Sequence, residues 1–239
     1  MKIGRTFLLV LAMTPWVAAA DTGRDAAIRA GIEEKLDSKD LQGPAIEVRE
    51  GVVTLTGKSR SVWAKTRAVE LAMETEGVAA VEDRLEIARG ESDQKVAEEV
   101  AKAVNRYPYF TIYDDVNLQI ENGAVTLNGR VTMPYKSEEI GKRVSKVLGV
   151  QSVDNRIETL PVNIGDQKLR AALLYRIYGD STFREYASRV NPPIHIIVER
   201  GRVALTGAVR SEVERRKAEH IARSTFGVFA VENRLQVGS

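Results

Sequence analysis

The sequence predicts an α+β protein of three tandem α-β-β-α-β modules, each a three-stranded mixed sheet covered by two helices. Three observations carry that prediction. A glycine-bounded G-x-V-x-L-x-G motif occurs three times, over Gly51 to Gly57, Gly123 to Gly129 and Gly201 to Gly207. A Gly-Val pair follows the first glycine of each copy 26 residues later, at Gly77-Val78, Gly149-Val150 and Gly227-Val228. Each pair leads into a valine-acid-Asx-arginine run, ending in Arg84-Leu85, Arg156-Ile157 and Arg234-Leu235. Aligned without gaps, the three 37-residue stretches share 8 identical positions, which chance does not produce.

Residues 1–20 stand apart from this repeat. Lys2 and Arg5 precede an apolar run from Phe7 to Met13, and Ala18-Ala19-Ala20 forms a small-residue cleavage signal before Asp21. That order is a secretory leader, and the run is too short to span a bilayer. With no cysteine to carry a lipid, we expect a soluble periplasmic protein.

Within each copy the elements read in the same order. An aspartate in N-cap position opens an amphipathic helix: Asp25 before Ile28, Ile32 and Leu36; Asp93 before Val96, Val100 and Val104; Asp166 before Leu169, Leu173 and Ile177. Two strands follow, hinged on Glu50-Gly51, Asn122-Gly123 and Arg200-Gly201, dipeptides suited to a turn with positive φ at both residues. Alternation of Val53 and Leu55 with Thr54 and Thr56 gives the second strand one buried face. Gly57, Gly129 and Gly207 then bend the chain into a second helix, begun by Pro134 in copy two and by a Ser211–Glu214 capping box in copy three. Its inward stripe reads Ile140, Val144, Val147 and Leu148, matched by Ala218, Ile221, Ala222 and Phe226. The Gly-Val closes the helix, and the third strand turns Val81, Leu85 and Ile87 inward. Module boundaries are expected at 21–90, 91–162 and 163–239.

This combination of hairpin, helix and G-V-x-x-V-x-N-R-L ending resembles the BON domain, named for bacterial osmotic-shock and nodulation proteins. The resemblance covers essentially the whole chain after residue 20. It implies α-β-β-α-β modules in exported proteins of Gram-negative bacteria, with roles in phospholipid binding and envelope maintenance. A third module and the insert from Gly179 to Pro193 depart from the pattern.

Nothing in the chain reads as an active site. There are no cysteines, and His195 and His220 lack partners at metal-ligand spacing, so neither metal nor cofactor is expected. Asp114-Asp115 and Glu138-Glu139 read as a strand entry and a solvated helix face. Arg84, Arg156 and Arg234 read as strand residues paired with nearby acids, and Tyr107 to Tyr113 as loop packing or a module interface.

Charge separates the copies. Residues 21–90 carry 11 basic and 14 acidic side chains, 91–162 carry 9 and 11, and 163–239 carry 13 and 8, giving −3, −2 and +5. A basic end in an exported chain suits the anionic phospholipid surface as partner. Arg170, Leu174, Arg176, Tyr178, Phe183, Arg184 and Arg189 are the expected lipid-binding residues, because aromatics beside arginines suit head-group depth. A protein-interaction or chaperone-like module, engaging envelope proteins, is the alternative. Export and the absence of a G-x-x-G loop speak against nucleic acid.

Overall fold

The computed structural model describes residues 16–90 and 92–238. They fall into two compact units, residues 16–60 with 64–86, and residues 61–63 with 87–90 and 92–238.

The first module runs α1 (Trp16–Leu36), β1 (Ala45–Arg49), β2 (Val52–Ser59), α2 (Val62–Met73) and β3 (Ala80–Ile87), with sheet order β1-β2-β3. Ile28, Ile32 and Leu36 of α1 are buried, as are Val53, Leu55, Ala68, Ala72 and Leu85 of the other elements. Such side chains contribute roughly 1.5–3 kcal/mol each when fully buried. The helix begins well before Asp25, because the alanine-rich segment ahead of it favours helix. Its leader pattern lies mostly in residues 1–15, outside the described residues.

The second unit holds two further modules. The first is α3 (Asp93–Asn105), β4 (Asp115–Glu121), β5 (Ala124–Val131), α4 (Pro134–Ser145) and β6 (Ser152–Thr159). The second is α5 (Ile164–Tyr178), α6 (Arg184–Ala187), β7 (Ile194–Glu199), β8 (Arg202–Val209), α7 (Glu212–Arg223), β9 (Ala230–Asn233) and β10 (Gln236–Val237). In each, the hairpin pair is antiparallel and the last strand runs parallel to the middle one. β9 and β10 keep one register on β8, Arg202 facing Ala230 and Ala208 facing Gln236, so they are one interrupted strand. The α-β-β-α-β order is thus realised three times, and the 179–193 insert adds only the short α6.

The hairpins turn as their sequences require. Glu50, Asn122 and Arg200 have φ of 52°, 51° and 50°, each followed by a positive-φ glycine. A glutamate or arginine in that left-handed region is strained, and the helix aspartates supply the compensation. Asp25 accepts the Glu50 and Gly51 amides at 2.8 and 2.9 Å, Asp93 those of Asn122 and Gly123 at 2.8 Å each, and Asp166 those of Arg200 and Gly201 at 2.7 and 2.9 Å. This corrects the N-cap assignment. The caps of α3 and α5 are Ser92 and Asn163, and the aspartates instead fasten the hairpin tip to the helix.

Two other expectations change. Gly57, Gly129 and Gly207 lie inside β2, β5 and β8 rather than at a bend, and at Gly129 and Gly207 a Cβ would collide with the carbonyl of Asp115 or Pro193. The inward stripe of the second helix also stops early. α4 ends at Ser145 and α7 at Arg223, so Leu148 and Phe226 leave the helical phase and are 61% and 100% exposed.

The two modules of the second unit are fastened together by the segment after α3. The Ile196 amide donates to the Ile112 carbonyl at 2.6 Å, Thr206 Oγ1 donates to Asp115 at 2.9 Å, and His195 Nδ1 meets the Asp114 carbonyl at 2.6 Å. Ile112 and Tyr113 pack against the core of the last module. The Tyr107–Tyr113 segment therefore blunts the edge of β7, which would otherwise present unpaired backbone.

Candidate functional site

The seven residues expected to form a lipid-binding strip do not share a surface. Arg170 is buried, and its Nη2 donates to the Val198 carbonyl at 2.6 Å; burial holds its guanidinium below the usual arginine range. Tyr178 is buried, with its hydroxyl donating to the Ile194 carbonyl at 2.6 Å and accepting from the Ile194 amide at 3.1 Å. Burial raises the pKa of that hydroxyl, against the opposing backbone bond. Phe183 lies in the core, its ring 6.1 Å from that of Tyr186. Leu174 packs partly buried against the same core. Arg176, Arg184 and Arg189 are exposed. The aromatic-arginine pattern was that of an amphipathic strip, but its rings lie in the core of the third module, so only the three arginines are exposed, and Arg176 among them is engaged by Ser224.

Aromatics and arginines do meet at the opposite end of the chain segment, around the last hairpin. Phe226 is fully exposed and Phe229 is 78% exposed, both on the loop between α7 and β9. The loop is held from two sides. The Phe229 amide donates to the Gly201 carbonyl at 2.8 Å, and Arg176 donates to the Ser224 carbonyl and hydroxyl at 2.7 and 3.1 Å. Arg202 places its guanidinium 5.4 Å from the Phe229 ring centre, and Arg200 beside it is exposed. Asp166 fastens the hairpin that carries both arginines. The arrangement is two exposed rings and two exposed arginines, one of them over the Phe229 ring, on a loop and hairpin fastened by hydrogen bonds, a combination that costs little ordering entropy when a surface engages it. Sequence reasoning assigned Phe226 to the inward stripe of the helix, because the apolar spacing continued up to Gly227, and made no reading of Phe229.

The corresponding positions in the other modules carry different chemistry. Counting from the first motif glycine, Phe226 and Phe229 correspond to Leu148 and Gln151, and to Glu76 and Ala79. Arg200 and Arg202 correspond to Asn122 and Ala124, and to Glu50 and Val52.

The BON domain signature matches residues 24–89, 92–161 and 183–239. The chain belongs to the BON domain family. It is 30% identical over 130 residues to osmotically-inducible protein Y of Escherichia coli K12, an alignment covering 51% of this chain and 61% of that relative. Among solved structures, the C-terminal domain of CdsD, a structural protein of the Chlamydia trachomatis type III secretion system, aligns at 16% identity. That alignment has a TM-score of 0.26 and covers 92% of this chain and 98% of the other. The periplasmic domain of the inner-membrane protein PrgH from S. typhimurium aligns at 15% identity and TM-score 0.20, covering 86% and 100%.

The recurrent polar residues of the BON modules are occupied with holding the fold. Arg84, Arg156 and Arg234 pair with Glu82, Asp154 and Glu232 at 2.8, 2.6 and 2.6 Å, along their own strands. Asn155 and Asn233 each donate to a carbonyl of the second helix, that of Ser137 or Arg215, at 2.9 Å. One buried position under the start of that helix differs among the BON modules. It is Ala64 in the first, Lys136 in the second and Glu214 in the third. Lys136 is neutralised by the fully buried Asp114 at 2.7 Å, which also accepts from Thr111 and Thr132. Glu214 accepts from the Tyr186 hydroxyl at 2.6 Å and from the Arg210 amide at 2.8 Å. Its burial is outweighed by those donors, so its pKa is lowered. The capping box is thus only half made: Ser211 accepts from the Glu214 amide, while the Glu214 carboxylate serves Arg210. No helix of the described residues is long and apolar enough to cross a membrane.

Proposed function

We propose that this is a periplasmic, non-enzymatic envelope protein of the osmotic-stress response, and that the hairpin end of its third module binds anionic phospholipid surfaces. One observation carries the reading: Phe226 and Phe229 stand bare on a loop fastened beside Arg200 and Arg202. The leader pattern of residues 1–20, the +5 balance of 163–239 and the osmotic induction in the name of the relative support it. Rings at head-group depth gain roughly 1.5–3 kcal/mol each on burial. Each arginine near an anionic surface adds about 1 kcal/mol. The rings therefore supply most of the affinity, and the arginines supply lipid selectivity and salt sensitivity.

The test is co-sedimentation of the mature chain with phosphatidylglycerol-containing and purely zwitterionic vesicles. Phe226→Ser with Phe229→Ser is expected to abolish binding to both. Arg200→Glu with Arg202→Glu is expected to abolish only the preference for anionic vesicles. Undiminished binding by the phenylalanine variant would remove this surface from the mechanism. No vesicle binding by the unaltered protein would leave the protein-interaction reading in its place. Intact mass beginning at Asp21, in the fraction released by osmotic shock, is the expected sign of export.

A further inference from the structure

The second module carries an aromatic platform that shares no residue with the lipid-facing end. Tyr107 and Tyr109 meet edge to face at 5.8 Å, and Tyr109 and Tyr135 at 6.4 Å. Tyr107 is buried, but Tyr109 and Tyr135 are 62% and 51% exposed. With Glu138, Glu139, Lys142 and Arg143 they line a shallow groove of about 460 Å³. Arg143 lies with its guanidinium 4.8 Å from the Tyr107 ring centre, and its Nε is buried without a hydrogen-bond acceptor. The Glu139 carboxylate is 3.1 Å away but does not meet hydrogen-bond geometry.

The fold does not demand this cluster. The position of Tyr135 is Trp63 in the first module and Val213 in the third, and that of Arg143 is Leu71 and Ile221. Loop packing accounts for Tyr107, which reaches the module core. It does not account for two tyrosines left more than half bare and braced against each other.

We infer that this groove binds an uncharged glycan chain. The chemistry of the rim selects that class. Two acids and two bases cancel, so neither an anionic head group nor a cation is favoured by charge. The exposed parts of the Tyr109 and Tyr135 rings offer apolar area for the C–H face of a sugar, at low entropic cost because the rings brace each other. The exposed parts of the Glu138, Glu139, Lys142 and Arg143 side chains supply acceptors and donors for neighbouring hydroxyls. A few placed polar groups around an aromatic surface form the usual composition of a small-molecule site.

The experiment is calorimetric titration of the mature chain with chitotetraose and, separately, cellotetraose. Millimolar or tighter binding of at least one is expected, with the pair telling whether N-acetyl groups contribute. Tyr109→Ala and Tyr135→Ala should each weaken it about tenfold or more, whereas Tyr109→Phe, which keeps the ring, should retain most of it. Tyr175→Ala, at an exposed tyrosine of the third module, should leave it unchanged. Both alanine positions are more than half exposed, so an unchanged melting transition is expected alongside the loss. Absence of binding to either oligosaccharide, or binding that persists in the Tyr109→Ala Tyr135→Ala variant, would overturn the assignment. The lipid reading stands or falls separately, because the phenylalanine variant should bind the glycan normally.

Discussion

The hairpin ends of the first and third modules have the same backbone and opposite surfaces. Both place a non-glycine residue and a glycine at positive φ, both are fastened by one helix aspartate, and both receive an amide from the following loop, Ala79 on Gly51 and Phe229 on Gly201. Yet the first presents Glu50, Glu76 and Ala79 where the third presents Arg200, Phe226 and Phe229. The repeated residues hold the tip in place, and the unrepeated ones set its surface chemistry. In this chain the most recognisable motif is therefore the least informative about partners.

The comparison can be broken most severely at the fastening itself. Asp166→Ala strands two amides beneath a strained hairpin, each unsatisfied group costing about 1–3 kcal/mol. We expect a loss of roughly 3 kcal/mol in denaturant unfolding, and a smaller loss for Asp25→Ala, whose side chain is only half-buried. Equal losses would show that burial of the aspartate does not matter.

A transplant sharpens it next. Glu50→Arg with Glu76→Phe and Ala79→Phe writes the third tip onto the first module. If the frame is neutral, the variant should bind anionic vesicles at least about tenfold more tightly, equivalent to about 1.4 kcal/mol. Unchanged vesicle affinity would mean that the tip residues act only in their own module.

Acid distinguishes the two modules through Glu214. Its folded pKa is lowered, so the stability it confers is complete above the ordinary carboxylate range and is lost as pH falls through the folded value. Unfolding followed against pH should steepen on the acid side for the third module, and Glu214→Gln should flatten that limb. At the bottom of the scale, Arg234→Gln should change stability by no more than about 0.5 kcal/mol, because its pair with Glu232 is exposed.

Reading the sequence reached the strands, the hairpins and the two-helix cover because their periodicity and turn chemistry are local. It failed where a residue's partner is distant. Asp166 in the first turn of α5 has the local signature of a cap, and only the return of the chain 34 residues later shows what it holds. Arg170, Tyr178 and Phe183 have the composition of an interface and sit in a core, since an aromatic strip reads identically on either side of a helix. Phe226 was assigned inward because the apolar spacing continued past the point where the helix stops. The helix stops three residues earlier, at Arg223, and the ring stands in solvent.

The buried position held by Ala64, Lys136 and Glu214 bears on fidelity of assembly. Tandem copies of one fold are prone to exchange equivalent segments during folding. Here a second helix docked into the wrong copy would bury Lys136 away from Asp114, or Glu214 away from Tyr186. Removing one partner from a buried charge costs several kcal/mol, far more than the shared motif could recover. Three incompatible interiors thus act as keys, letting the copies keep one architecture while each pairs only with itself.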